Sequence, residues 1–399
     1  MAAPKSILLT GATGFLGSRL LVDLLHRNPT ATVFCHVRAN PSCGDSREWL
    51  QTQLAAFGVW GRVPPSSWSR VVVMEGDTTE PNFGVSDADK TRLQHSITSI
   101  VHSAASISLK AHQSELLELN TGSVTNAVEL AKMCVAGKRP PSIHLVSSIA
   151  AVCNVNPGGV IPESLDTSSN DAVAGYGLSK WHAEQALRTE AASNGIAAYV
   201  YRTPFILGDI VPQEKSIPTV TVQLACVLGA MPRWQSDIPM FPIAHLSQAI
   251  STCALREPSD EEYGKTRVFH LFEQDQKSFD QQAELLITAG VNADIVSVEE
   301  WLRRLHVVSQ LDTYVAKLAS ISPIVQYFAS LNLGSLQSDV TYEWLAKNCD
   351  TRFDPVGSAA AADIYRPLVD SSKKLLLENL DATSTVEALR IAALYGSEA

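Results

Sequence analysis

The chain has 399 residues, 45% of them hydrophobic, which suits a large domain plus a smaller one with a substantial core. Its net charge of −10 argues against nucleic acid or an anionic membrane surface as the main partner, but not against a phosphate bound locally. No apolar run reaches the roughly 18 residues that a membrane span needs, so no membrane partner is expected.

The N-terminus runs almost directly into the first strand pattern, leaving no room for a signal peptide. Seven cysteines without a C-x-x-C pair read as reduced thiols, with Cys35, Cys134, Cys153 and Cys226 in apolar segments. Both features point to a cytoplasmic protein. The ten histidines show no H-x-x-x-H or H-E-x-x-H spacing, so no metal site is expected.

The chain opens on strand, glycine turn and helix. Ile7, Leu8 and Leu9 form the short apolar run of a buried parallel strand; Gly11, Gly14 and Gly17 follow at once. A helical pattern then runs through Leu20, Leu21, Leu24 and Leu25. Gly11 permits the tight turn, Gly14 admits a pyrophosphate to the backbone, and Gly17 lets helix and strand pack closely. The phosphates would sit on the unpaired N–H groups and positive dipole end of the helix. The pattern predicts dinucleotide binding.

Further strands are expected at Thr32–Val37, Val71–Glu75, Ser99–His102, Ile143–Ser147 and Ala198–Arg202, and helices at Gly14–Arg27, Arg47–Phe57, Ser114–Val135 and Gly175–Ser193. Such alternation predicts an α/β fold, a Rossmann-type doubly wound parallel sheet with helices on both faces. The loop Asn154–Asn170 reads as irregular. After about Pro204 the segments Val220–Leu228, Gln282–Ala289, Glu299–Leu305, Leu311–Ala319 and Thr385–Ala393 read as helices with few strands between. This predicts a cofactor domain over 1–207, with a stretch near 241–272 returning to it, and a mainly helical substrate domain over 208–399. The proline-bearing stretch Gly208–Phe241 reads as a gate or as a structural crossover.

The second strand ends at Arg38, with no acidic residue from Thr30 to Pro41. An NAD enzyme places Asp or Glu here for the ribose 2′-hydroxyl, whereas an NADP enzyme uses arginine for the 2′-phosphate. The alternative is a solvated surface arginine. Arg47 is a second candidate contact. Asp77, after the third strand, can meet the adenine amino group or cap a loop. Ser103, Ala104 and Ala105 follow the fourth strand, where small residues let backbone pass close to a cofactor. Asn120 reads as a buried polar anchor.

Ser148 ends the fifth strand, and Tyr176-Gly-Leu-Ser-Lys180 begins 28 residues later. Tyr and Lys four apart share one helix face. The ammonium is expected to lower the phenol pKa and to hold the nicotinamide ribose. The phenol would donate a proton at a carbonyl while a serine hydroxyl orients the same oxygen. Tyr-x-x-x-Lys alone is weak, but its order after glycine turn, arginine and strand-end serine is specific.

With these residues in place, the sequence resembles the extended short-chain dehydrogenase/reductases. Within them it is most similar to the thioester reductase domains that end some nonribosomal peptide and polyketide synthases and carboxylic acid reductases. The resemblance rests on TGATGFLG at 10–17, HVRA at 36–39, GDTT at 76–79, HSAA at 102–105, LNTGSV at 119–124, VSS at 146–148, YGLSK at 176–180, YRTPFILGD at 201–209 and FPIAHLSQAI at 241–250. It covers residues 5–255 well and the remainder loosely.

The resemblance implies Ser148, Tyr176 and Lys180 as the catalytic triad, Ser148 standing where many members have Thr. It implies NADPH as cofactor, held by Thr10, Gly11, Thr13, Gly14, Phe15, Leu16, Gly17, Arg38, Asp77, Thr78, the 103–105 segment, Tyr176 and Lys180. Thr203, Pro204 and Phe205 would lie along the nicotinamide. The implied substrate is an acyl or peptidyl thioester on the phosphopantetheine arm of a carrier protein, released as an aldehyde and in some members reduced on to an alcohol.

Competing readings are a carbonyl reductase of free small molecules, a sugar-nucleotide epimerase or dehydratase, a fatty acyl-CoA reductase, and a non-redox cyclising release domain or cofactor-sensing regulator. Arg38 speaks against the epimerase, which prefers NAD. The intact Tyr, Lys and glycine turn speak against the non-redox class.

Overall fold

Short segments of four to seven residues, most of them apolar runs, become the strands of one sheet. In the computed structural model, residues 5–107, 112–153, 159–172, 174–208, 210, 216–234, 239–272, 277–320, 335–351 and 358–380 are described. Strands β1 (Ser6–Thr10), β2 (Thr32–Val37), β3 (Val71–Glu75), β4 (Ser99–His102), β5 (Ser142–Ser148), β6 (Ala198–Thr203) and β7 (Thr266–His270) form a seven-stranded sheet. Its order is β7-β6-β5-β4-β1-β2-β3, and every pairing is parallel. The chain runs outward from β1 to β3, then restarts beside β1 at β4. That reversal opens a crevice at the carboxyl ends of β1 and β4, the place where doubly wound sheets bind ligands.

Period-two alternation assigns the two sheet faces. Leu8, Phe34, Ile100, Leu145 and Val200 join one buried cluster with Val124 and Val128 of α4 (Gln113–Lys132) and Leu187 of α5 (Ala174–Asn194). On the other face lie α1 (Phe15–Arg27) and α7 (Ile243–Leu255), packed on each other. Ser99 of β4 donates to the Ala254 carbonyl of α7 at 2.7 Å, which fixes the alternate residues toward that layer.

By packing, the chain divides into two compact units. The first comprises Met1–Pro204, Ile243–Phe272 and Gly334–Phe353, and the second Phe205–Pro242, Glu273–Leu333 and Asp354–Ala399. The 243–272 return falls on the stretch named from the sequence. The return at 334–353, carrying α11 (Asp339–Cys349), had no sequence signal.

The second unit is built on α6 (Ile217–Leu228), which starts earlier than its apolar pattern implies. Ser216 caps it by accepting from Thr219 N–H, and Pro218 stands in its first turn, where a missing N–H costs nothing. Val222 and Ala225 of α6 face a cluster with Ala283 of α8 (Phe279–Thr288) and Val369 of α12 (Ser358–Asn379). Val220, Leu224 and Leu228 face another with Trp301 and Leu305 of α9 (Val298–Ser309) and Val315 of α10 (Thr313–Ala319). A helix buried on two sides needs apolar residues nearly all round, which Ile217–Leu228 supplies. The expected helix Thr385–Ala393 lies outside the described residues, as do parts of the Gly208–Phe241 and Asn154–Asn170 stretches.

Candidate active site

The glycine turn closes where β1 meets β4. Gly11 has φ +71°, and a Cβ there would stand 2.8 Å from the backbone nitrogen of Ala104. A Cβ on Gly17 would stand 1.9 Å from the Gly11 carbonyl oxygen, so any side chain at 17 would push α1 off the turn. Gly14 caps α1 without a side-chain bond, and no acidic residue occupies the first turn. The N–H groups at the start of α1 therefore have no side-chain competitor for an anion. Thr13 and Phe15 are half-buried on this turn, whereas Leu16 and Gly17 are buried beneath it.

Thr10 is placed differently from the cofactor contact expected of it. It is fully buried, and its hydroxyl accepts from Ala104 N–H at 3.1 Å. Ser123 donates to the Asn120 carbonyl, so it accepts from His102 Nε2–H; His102 Nδ1 then accepts from the Thr10 hydroxyl at 3.0 Å. Burial, with Lys180 and His36 adding to it, lowers His102 to about 3 and keeps it neutral, as this chain of bonds requires. Thr10 therefore shapes the 103–105 segment from beneath. Asn120 locks the same segment to α5: its amide exchanges bonds with Ser106 N–H and C=O and donates to Ser179 Oγ.

At the end of β2, Arg38 is exposed, and its guanidinium makes no ion pair among the described residues. Asp77 accepts from the Thr79 N–H and hydroxyl at 2.9 and 2.8 Å. Those bonds, then Arg38 and His36, hold its carboxylate below the usual range. Thr78 takes a bond from Asn126 on its carbonyl. Arg47 corrects the sequence reading. Its guanidinium donates to the carbonyls of Val71 and Trp68 at 3.0 Å each and stacks on the Trp68 ring. It clamps α2 (Ser46–Ala56) to the start of β3 instead of facing a phosphate.

The structure brings Ser148, Tyr176 and Lys180 together at the carboxyl end of β5. The Ser148 hydroxyl is near enough to Tyr176 to work against the effect of burial on its phenol, and Ser148 Oγ accepts from Ala150 N–H at 3.2 Å. Lys180, one turn along α5, is 4% exposed; its ammonium donates to the Val146 carbonyl at 2.9 Å and stands 6.0 Å from the Tyr176 ring centre. The expected effect of this ammonium on the phenol is not what dominates. Burial raises Tyr176 to about 12, and only the Ser148 hydroxyl works downward. Burial also lowers Lys180 to about 8, against the opposing charge of Glu184. Thr203, at the end of β6, donates to the Ser147 carbonyl at 3.0 Å; Pro204 and Phe205 stand where the chain passes between units.

Sequence reading missed what stands behind the triad. Glu184, a further turn along the Tyr176–Lys180 face, forms a fully buried ion pair with Arg202 of β6 at 2.7 Å. Ser147 Oγ donates to Glu184 at 2.5 Å. Arg202 donates to His270 Nε2 at 3.1 Å, while His270 Nδ1–H donates to the Gln337 carbonyl at 2.7 Å. Burial and Arg202 hold His270 neutral, at about 3. The i+4 step from Lys180 to Glu184, and an arginine inside an apolar strand, were the available signals. Among the described residues, no group of three His, Cys, Asp or Glu side chains could hold a metal, and no helix is long and apolar enough to cross a membrane.

The chain is 29% identical over 315 residues to L-2-aminoadipate reductase of Schizosaccharomyces pombe, an alignment covering 75% of this chain and 21% of that protein. It thus spans about a fifth of the length of the aminoadipate reductases it matches. In fold it is similar to the terminal R domain from the myxalamid PKS-NRPS pathway, with TM-score 0.75, 23% identity, and 95% and 92% of the two chains covered. It is also similar to a thiolation-reductase di-domain from an archaeal nonribosomal peptide synthetase, with TM-score 0.67, 19% identity, and 94% and 76% covered. Residues 9–250, more than half of the sequence and all of it from the glycine turn through the triad, match the NAD_binding_4 family, described as male sterility protein, and the chain belongs to that family.

Proposed function

We propose that this chain is an NADPH-dependent oxidoreductase that releases an acyl or peptidyl group from the phosphopantetheine arm of a carrier protein by reducing its thioester to an aldehyde. The observation that carries this reading is the Tyr176–Ser148 hydroxyl pair, with Lys180 a turn away, at the strand ends beside the glycine turn. The reductase and thiolation-reductase relatives support the choice of substrate.

The site fits a dinucleotide. The backbone at Gly11 and Gly14 is bare where a Cβ would stand 2.8 and 3.2 Å from neighbouring backbone, and the start of α1 faces the same turn. Gly14–Gly17 and residues 103–105 would hold the pyrophosphate side, Arg38 the 2′-phosphate, and Lys180 the nicotinamide ribose. When bound, NADPH supplies a hydride to the thioester carbonyl carbon, and collapse of the resulting hemithioacetal expels the thiol and leaves the aldehyde. The Tyr176 and Ser148 hydroxyls are preorganised donors for the oxygen on which negative charge develops. Tyr176, at about 12, is a neutral proton donor throughout the physiological range and passes its proton to that oxygen. Lys180, at about 8, remains largely an ammonium at neutral pH.

Arg38 sets the expected cofactor preference. A charge-assisted contact is worth about 1.5–3 kcal/mol, so NADPH should bind roughly tenfold to a hundredfold more tightly than NADH. Arg38→Ala should remove most of that difference in a fluorescence titration of both cofactors. Equal binding of both by the unaltered chain would overturn the NADPH assignment.

Thioester reduction is tested by presenting one acyl group on a carrier protein, on coenzyme A and on a short thiol. Remote binding energy from the arm positions the carbonyl, so trimming the arm should lower turnover as well as affinity. Equal efficiency on all three, or activity on free aldehydes alone, would leave a plain carbonyl reductase.

A further inference from the structure

Two free thiols of the first unit stand against each other. Cys253, on α7, is 2% exposed, and its sulfur lies 3.5 Å from that of Cys349, the last residue of α11. Cys349 is partly exposed. The Cys43 and Cys134 thiols donate instead to carbonyls, those of Asp45 and Leu130. Arg256, three residues past Cys253, stands 4.9 Å from the ring centre of Trp344 on α11, so its charge lies beside the pair. Burial pushes the Cys253 thiol up, so it keeps its proton and donates to the Cys349 sulfur. That bond, then Arg256, hold Cys349 below the ordinary thiol range against its partial burial. Burial pushes up Cys35, Cys134, Cys153 and Cys226. Cys349 is thus placed as a reactive thiol with a second thiol in reach to resolve it. At its other end, α11 is already tied to the sheet edge. Thr341 Oγ1 accepts from His270 N–H at 2.9 Å, and the Tyr342 hydroxyl donates to the Phe272 carbonyl.

We propose that Cys253 and Cys349 are a modification site for a peroxide, which closes them into a disulfide between α7 and α11. First, the Cys349 thiolate attacks one peroxide oxygen. The O–O bond breaks, Cys349 becomes a sulfenic acid, and the second oxygen leaves as hydroxide, which takes up the proton that Cys349 lost and becomes water. Next, the Cys253 sulfur attacks the sulfenic sulfur. The S–S bond forms, the S–O bond breaks, and the hydroxyl leaves with the Cys253 proton as a second water. Two thiols together lose two electrons, and one peroxide gains them. Reaching a bond length of about 2.05 Å brings the sulfurs about 1.5 Å closer than they stand, a shift within reach of the last turn of a helix. The site needs no substrate and no nicotinamide cofactor, so it stands apart from the thioester-reducing reading.

The test treats the full chain, reduced and then freed of reductant, with a stoichiometric amount of hydrogen peroxide. Remaining thiols are alkylated, and the chain is cut with trypsin without reduction. Cys253 and Cys349 fall on the peptides 234–256 and 348–352, each with one cysteine, so their linkage is read directly as one joined mass. The joined peptide should dominate the oxidised cysteine products and vanish on adding dithiothreitol. A bond between residues 96 apart should also raise the melting temperature by roughly 5–10 °C, reversibly with dithiothreitol. Cys349→Ser should lose the joined peptide and the rise together. Circular dichroism checks its fold, and the peptide map of the unaltered chain decides alone if that variant is unfolded. Recovery of both peptides alkylated, of Cys349 as a sulfinic acid beside an alkylated Cys253, or of either peptide joined mainly to Cys43, would overturn the proposal.

Discussion

Replacing Tyr176 with phenylalanine is expected to lower reductase turnover by roughly 10²–10⁴-fold while leaving NADPH affinity nearly unchanged, the span typical of losing a positioned proton donor. The ring is kept, so packing in the half-buried site survives; only the hydroxyl beside Ser148 is lost. Lys180→Ala should behave differently, damaging binding and turnover together, because Lys180 is assigned both a ribose contact and a charge near the phenol. The two variants also separate the groups by pH. Tyr176 at about 12 cannot set the alkaline limit of kcat/KM, whereas Lys180 at about 8 can, so activity should fall as pH rises through about 8. Full reductase activity in Tyr176→Phe would remove the triad assignment and favour a non-redox release domain.

The first half of the fold was legible because its strands are short, continuous apolar runs separated by helical periodicity, a pattern that parallel sheets impose. The seventh strand, Thr266–His270, escaped notice because Arg267 and His270 break its apolar run. His270 is fully buried there only because Arg202 and the Gln337 carbonyl take its two ring nitrogens, partners that lie 68 and 67 residues away. Helix α12 was missed for a local reason. It runs through Pro367, and proline inside a helical pattern reads as a stop.

The candidate site was legible in its spacing but not in its electrostatics. Tyr176 and Lys180 were read as partners from their i+4 step, and the helix does set them on one face. Which charge lowers which pKa depends on burial, and burial is a tertiary quantity. It outweighs the ammonium at Tyr176 and depresses Lys180 itself. Arg47 shows the same limit in reverse. A basic residue near the cofactor strand looks like a phosphate ligand until two carbonyls and a tryptophan claim it.

Glu184→Gln should cost about 3–5 kcal/mol of stability, because it leaves the fully buried Arg202 guanidinium without its counter-charge. The same substitution should change catalysis in a way that lost stability alone does not. Glu184 is the one charge that raises the Lys180 pKa against burial. Without it the ammonium is less favoured, and Lys180 falls further below about 8. A lysine that acts as an ammonium is active below its pKa and loses activity as pH rises through it. The alkaline limb of kcat/KM should therefore begin at lower pH in Glu184→Gln than in the unaltered chain. The double variant Glu184→Leu with Arg202→Met removes both charges and fills the space with apolar groups. It should recover part of the lost stability, since a buried pair replaced by hydrophobic residues is often neutral, whereas His270 Nε2 and the Ser147 hydroxyl lose their buried partners. Its alkaline limb should stay displaced, because the charge acting on Lys180 is still gone. Thermal unfolding and pH–rate profiles of the three proteins make the comparison, and an unshifted alkaline limb in Glu184→Gln would reduce the Glu184–Arg202 pair to a purely structural tie between α5 and β6.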